Sequence, residues 1–237
     1  MAETIYHGYV IHRQEYLIFD EIVTFLTKQG NKIACLSKGS RKIDSKNARH
    51  LFLGSFVEFQ IFQSRSIDKL SRLKKVITIK SVDWSLVTAL SFNLLNESVI
   101  KLDMRDQSLF EFYEKYLQQI LEKQIYEKIL VLIVLQNFLK FSGVRLEVNH
   151  CIRCGNNKIK TISFKDHGML CNLCFEKARD KYYELPVSKA IHYLFNEKYT
   201  MLNQYVQEID YVIKLLYAYI LDNTGVKFQS LADYETS

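Results

Sequence analysis

Apolar and polar positions alternate at short range in the first 80 residues and change period after about residue 83. Ile5–His12, Tyr16–Thr27, Asn31–Lys38, Ser55–Gln63 and Leu73–Ile79 are short runs rich in Val, Ile, Phe, Tyr and Thr. Polar breaks separate them at Arg13-Gln14-Glu15, Lys28-Gln29-Gly30-Asn31 and Ser64-Arg65-Ser66. The spacing predicts strands joined by turns. Val57, Phe59 and Ile61 against Glu58, Gln60 and Phe62 show the two-residue period most clearly. About five strands in a segment of this length suit a small closed or partly open barrel, and the OB-fold is one such solution.

The later segments read as helices. Gln107–Lys123 places Leu109, Tyr113, Tyr116, Leu117, Ile120 and Leu121 at helical spacing. Ser108 and Glu111 suggest a capping box at its start. Ile125–Phe141 is apolar nearly all round, which predicts a central buried helix. Ser142-Gly143 supplies its stop. A helix over about Val187–Asn196 follows Pro186. Another over about Asn203–Asp222 carries Val206, Ile209, Val212, Ile213, Leu216 and Ile220 on one face.

Composition fits ordered domains. Hydrophobic residues make up 48% of the 237, with one proline and eight glycines. The first residues, Met1 to His7, contain an acid and no apolar block, so no secretory signal is expected. The longest apolar run, Ile129–Leu135, is far short of the about 20 residues a bilayer span needs. A soluble, cytoplasmic protein is the expectation, and disulfides are not. Cys35 reads as a small buried apolar residue.

Four of the five cysteines form two pairs, Cys151-Ile152-Arg153-Cys154 and Cys171-Asn172-Leu173-Cys174, with sixteen residues between. This is the spacing of a tetrahedral zinc site, each C-x-x-C turn aiming two thiolates at one metal. Thr161–Phe164 and Met169-Leu170 read as strands turned at Asp166-His167-Gly168, and Gly155 suits the knuckle after the first pair. Four thiolates leave no position for water, so one structural zinc ion per chain is expected, held by Cys151, Cys154, Cys171 and Cys174.

Charge divides the chain. Residues 1–82 hold 14 Lys+Arg and 7 Asp+Glu, whereas residues 83–237 hold 18 and 19. All of the net charge of +6 therefore lies in front. Residues 38–49 concentrate it, with Lys38, Arg41, Lys42, Lys46 and Arg49 against Asp44. A second stretch contains Arg65, Lys69, Arg72, Lys74, Lys75 and Lys80. Lysine and arginine neutralise phosphates, a sequence-independent attraction that dominates nucleic-acid affinity. Gly39-Ser40 would let backbone approach a phosphate. Lys38, Arg41, Lys42, Lys46, Arg49, Arg72, Lys74 and Lys75 are the candidate DNA-binding residues. Tyr6, Tyr9, Tyr16, Phe19, Phe25, Phe52, Phe56, Phe59 and Phe62 lie in the same region, and sequence does not show which face outward.

The expected architecture is α+β and multidomain. Residues 1–82 form an OB-fold DNA-binding barrel and 83–146 begin a helical domain. Residues 147–178 form a four-cysteine zinc finger inserted in it, and 179–237 complete it. Enzyme motifs are absent: no G-x-x-x-x-G-K-[ST], H-E-x-x-H or G-x-S-x-G occurs. A zinc deaminase would need H-x-E with P-C-x-x-C, which is missing too. A non-enzymatic protein is expected. The rival readings are a zinc-ribbon RNA-binding or transcription-associated protein, a metal-dependent nuclease, and a scaffold acting through its helical half.

Tyr9-Val10-Ile11-His12-Arg13, Ser37-Lys38-Gly39-Ser40-Arg41-Lys42 and the late Cys-x-x-Cys-Gly…His-Gly-Met-Leu-Cys-x-x-Cys unit appear in the order seen in the RecO family. The chain resembles that family of bacterial recombination mediators over most of its length. The resemblance implies an N-terminal OB-fold, a helical C-terminal domain and a zinc finger. It implies binding of single- and double-stranded DNA, annealing of complementary strands and partnership with RecR. It also implies binding to the acidic C-terminal tail of single-strand binding protein, and help in loading the recombinase RecA onto DNA coated by that protein.

Overall fold

A computed structural model describes residues 3–64, 69–86 and 89–234. Met1–Gln124 forms one compact unit and Ile125–Ser237 another.

In the first unit five strands within the described residues close into an OB-like barrel: β1 (Glu3–Tyr16), β2 (Asp20–Thr27), β3 (Lys32–Ser37), β4 (Phe56–Phe62) and β5 (Ser71–Lys80). Their order around the barrel is β1-β2-β3-β5-β4, and β4 pairs back onto β1. The β3–β5 pair is parallel and the other pairs are antiparallel. Val57, Phe59 and Ile61 point inward as their alternation predicts, joining Val10, Val23, Phe25, Cys35, Leu51, Leu73 and Val76 in the barrel core. Phe25 and Phe59 stack with ring centroids 3.9 Å apart.

The first reversal is not where the polar residues suggested. Arg13-Gln14-Glu15 is no turn: β1 runs on to Tyr16, which pairs with Asp20. Arg13 donates to the buried Glu21 carboxylate across the hairpin at 2.7 Å and 2.9 Å, so its charge is satisfied within the ladder. The chain turns instead at Leu17-Ile18-Phe19, with Leu17 at φ 57°. That conformation costs a non-glycine residue on the order of 1 kcal/mol. The second reversal falls where expected. Gly30 has φ 78°, and a Cβ there would sit 1.8 Å from the Asp106 carbonyl oxygen. Arg65 and Ser66 of the third expected turn lie outside the described residues.

Two helices complete this unit, α1 (Ala89–Lys101) and α2 (Gln107–Glu122). The periodicity gave no sign of α1, because its buried face includes Ser91, Asn96 and Ser98 beside Phe92, Leu94, Leu95 and Val99. Asn96 is accommodated by donating to Phe92 O at 2.9 Å and accepting from Tyr113 Oη at 2.8 Å. The Lys32 ammonium donates to the Val99, Ile100 and Leu102 carbonyls, closing the end of α1. The cap of α2 is Asp106, whose carboxylate accepts from the Ser108 amide at 2.8 Å. The Ser108–Glu111 box does not form; Glu111 instead accepts from Gln107. Tyr9 of β1 packs against Phe110 and Tyr113 and donates to Glu114, fixing α2 to the barrel.

The second unit contains α3 (Glu127–Phe141), β6 (Glu147–Cys151), β7 (Ile159–Ser163), β8 (Gly168–Cys171), α4 (Leu185–Phe195) and α5 (Ile209–Thr224). Every residue of α3 from Ile129 to Gln136 is buried, as its all-round apolarity requires. Gly143, at φ 74°, ends the helix. The strands make a small sheet in the order β6-β8-β7 that carries both cysteine pairs. The last helix begins later than its pattern suggested. Residues Tyr199–Tyr205 form a 3-10 segment, and Val206 is exposed. The apolar face from Ile209 to Ile220 is buried.

Candidate functional site

Two constellations carry chemistry, one in each unit. In the first, the segment after β3 crosses the barrel surface. Lys38, Arg41, Lys42, Lys46 and Arg49 are placed along it, all exposed to solvent. Its near end is stitched to the β1–β2 turn: the Arg41 amide donates to Phe19 O at 3.0 Å and its guanidinium to Ile18 O at 3.3 Å. Its far end reaches β5, where the Val76 amide donates to Asn47 Oδ1 at 3.3 Å. There Arg72, Lys74 and Lys75 continue the charge, all exposed. Gln60 pairs with Lys75 and Ile61 with Leu73, leaving Lys74 unopposed. This bulge turns two consecutive lysines outward from one strand. The eight candidate cations thus lie along one path. The additional cations Lys69 and Lys80 are exposed too, while Arg65 lies outside the described residues.

Two of the eight are partly neutralised. Arg41 pairs with Glu15 at 2.9 Å and Lys74 with Glu3 at 2.7 Å. Among the described residues, Lys38, Lys42, Lys46, Arg49, Arg72 and Lys75 form no ion pair. One expectation is corrected. The Gly39 amide donates to Asp20 Oδ1 at 2.7 Å and the buried Ser40 hydroxyl to Ser37 O at 3.0 Å. That pair shapes the loop and is not open to a phosphate. The aromatics also sort themselves. Phe25 and Phe59 fill the barrel, whereas Tyr16, Phe19 and Phe52 are exposed.

In the second unit the Sγ atoms of Cys151, Cys154, Cys171 and Cys174 all lie within 4.8 Å of one another. Cys154 and Cys171 are 3.6 Å apart, too far for a disulfide. A tetrahedral ion with Zn–S bonds of about 2.3 Å would set such edges at about 3.8 Å, so the cluster fits a metal bound by four thiolates. The two knuckles are built alike. The Gly155 amide returns to Cys151 O at 2.8 Å and the Phe175 amide to Cys171 O at 3.1 Å. Gly155 takes φ 74° to do so. Burial raises the Cys151 thiol, but backbone amides of Cys171, Arg153 and Cys154 outweigh it and bring the group down to about 6. Cys174 is pushed up to about 12, first by hydrogen bonding with Cys154 and then by burial and the other two sulfurs. Crowded thiols resist ionising together, and a divalent cation removes that conflict.

Arg153, inside the first pair, is a residue that spacing arguments passed over. It donates to Cys174 O at 2.6 Å, to both Asp180 carboxylate oxygens at 2.9 and 2.6 Å, and to Asp166 at 2.5 Å. Its side chain is 19% exposed and that of Asp180 only 2%. The Asp180 carboxyl is held down at about 2, chiefly by Arg153 and also by the Glu176 amide. The guanidinium therefore ties the first knuckle to the second and to the hairpin turn. A basic residue between the first two cysteines, with Asp166 and Asp180 further along the chain, was the available signal.

The recombination protein O N-terminal model matches residues 1–82, and its C-terminal counterpart matches residues 87–231. The chain belongs to the RecO family. That membership puts it in DNA repair and recombination. Among similar proteins is the DNA repair protein RecO of Mesoplasma florum, 23% identical, covering 95% of this chain and 88% of that protein. The RecO of Mycoplasma mycoides is 27% identical over 71% of this chain and 70% of its own. The Bacillus subtilis RecO is 25% identical over 72% and 68%. Among the described residues of this RecO-family chain, no helix is long and apolar enough to cross a membrane.

Proposed function

We propose that this RecO-family chain is a non-enzymatic recombination mediator. It binds single- and double-stranded DNA through the cations of residues 1–82, anneals complementary strands, and helps load the recombinase onto DNA coated by single-strand binding protein. RecR and the C-terminal tail of single-strand binding protein are its proposed partners, and the cytoplasm its proposed location. The four-cysteine segment, residues 147–178, holds one structural zinc ion within the unit Ile125–Ser237. The ion would cross-link the two knuckles and supply no reacting position.

The observation that carries this reading is the solvent access of Lys38, Arg41, Lys42, Lys46, Arg49, Arg72, Lys74 and Lys75 along one path on the barrel. A surface of this kind grips phosphates without reading sequence. Neutralising two strands at once lowers their mutual repulsion, which annealing requires. The test is the salt dependence of binding to single strands, together with annealing in the presence and absence of single-strand binding protein. Each lost phosphate contact should flatten the slope of log K against log salt by about 0.7. A charge-depleted variant with an unchanged slope refutes the assignment, and failure to anneal coated strands refutes the mediator role.

A further inference from the structure

Resting on that reading, and extending it from phosphates to bases, we propose that the β1–β2 turn holds the unpaired bases of single-stranded DNA by their faces. The turn presents three consecutive apolar residues to solvent: Leu17 is 71% exposed, Ile18 76% and Phe19 50%. Ile43, on the cationic segment that docks beside the turn, is fully exposed as well. None of the four contributes to the barrel core. Leu17 also holds φ 57°, a turn conformation for which glycine or asparagine is the ordinary choice. A bulky apolar residue there is unfavourable both for its backbone and for its hydration, so folding alone does not account for it.

What surrounds the tip indicates its occupant. Lys42 Nζ lies 5.5 Å from the Phe19 ring centroid, and the Arg41 amide bonds to Phe19 O. The apolar tip therefore stands at one end of the same path that carries Lys38, Lys46 and Arg49 toward Arg72 and Lys75. A single strand offers both matching surfaces, phosphates for the cations and exposed base faces for the ring and aliphatic groups. A duplex offers only phosphates and groove edges, because its base faces are stacked. A lipid surface would be matched best by an apolar tip ringed by cations, whereas here the cations that contact the tip, Arg41 and Lys42, both belong to the one segment docked beside it. Contact through a base face also leaves the Watson–Crick edge free, so a held strand can still pair.

The experiment measures binding of the full chain to fluorescent oligothymidylate and to a duplex of equal length, at one salt concentration and across a salt series. In L17S/I18S/F19S, affinity for the single strand should fall about tenfold or more, with duplex affinity within about twofold and the salt slope unchanged. Leu17→Gly should melt no lower than the parent chain, since it relieves the turn. Irradiating the parent chain on iododeoxyuridine-substituted strand should attach Phe19 or its neighbours, a readout that needs no folded variant. Equal losses on both DNAs, attachment confined to other segments, or loss of binding to phosphatidylserine vesicles with single-strand affinity intact would overturn the inference. If the parent chain binds neither DNA, the proposed function itself fails. If it binds both and the triple variant matches it on the single strand, only the role of the turn fails.

Discussion

The cationic path on the barrel and the cysteine unit use the same residue types in opposite ways. Along residues 38–49 the cations face solvent, and only Arg41 has a carboxylate partner among the described residues. In the cysteine unit the best-positioned cation, Arg153, is enclosed by Asp166, Asp180 and Glu176 and has nothing left to offer a ligand. The first arrangement leaves attraction available for a partner; the second spends it on holding loops in place. Net charge alone does not separate these cases, and partner geometry does. The difference teaches that the same residue types can leave charge open to solvent in one region and brace loops in another.

The most severe way to break the comparison is to remove a proposed metal ligand. Cys154→Ser should drop bound zinc from about one ion per chain to near none and unfold the knuckles, since metal and folding are coupled in such units. Elemental analysis and near-ultraviolet circular dichroism read both effects. Affinity for single-stranded DNA should hold within about twofold, because the cations lie in the other compact unit. Strong loss of DNA binding with the barrel intact would make the cysteine unit a contact surface and end the distinction.

Gly30→Ala attacks the other region through its scaffold. The new Cβ would meet the Asp106 backbone in a left-handed conformation. A loss of about 2 kcal/mol or more is expected, lowering Tm by roughly 4–8 °C. Zinc content should not change. A thermal melt that leaves Tm in place would mean that the β2–β3 turn does not press on the start of α2.

Much of this was legible beforehand, for identifiable reasons. Val57, Phe59 and Ile61 alternate because one face of β4 meets the core, and α3 reads as buried because it is apolar on all sides. The cysteine pairs announce themselves by spacing. What stayed hidden depends on tertiary partners. Arg13 and Glu15 look like turn residues until Glu21 and Arg41 are placed across from them. Leu17-Ile18-Phe19 looks like strand because apolar residues are rarely put at a turn. Helix α1 is masked by Asn96, whose polarity is satisfied only by Phe92 and Tyr113. The roles of Gly39 and Ser40 required knowing that Asp20 and Ser37 claim them first.

A finer test of the cysteine unit replaces Arg153 with methionine, keeping much of the bulk and none of the charge. The Cys174 carbonyl and the Asp180 carboxylate would lose their donor while all four cysteines remain. Groups that orient metal ligands typically alter metal affinity by about 10- to 100-fold when removed. Zinc should therefore pass to a competing chelator at a proportionately lower chelator concentration, with initial zinc content unchanged. Identical competition curves for the variant and the parent chain would show that the knuckles hold their geometry without the guanidinium.

The smallest effect discriminates between neighbours on the cationic path. Lys42 has no carboxylate partner among the described residues, while Arg41 is held by Glu15 and by Ile18 O. An exposed pair of this kind is worth little to stability, but it keeps part of the guanidinium's charge from a phosphate. Lys42→Ala should flatten the salt slope by about 0.7, the value of one full contact on a single strand. Arg41→Ala should flatten it less. Glu15→Gln, which frees Arg41, should steepen it, and the steepening should vanish when Arg41 is already alanine. Equal slopes for Lys42→Ala and Arg41→Ala would mean that Glu15 yields its partner to DNA on binding. The paired and unpaired cations of the barrel would then form one uniform surface, and the contrast with Arg153 would rest on enclosure alone.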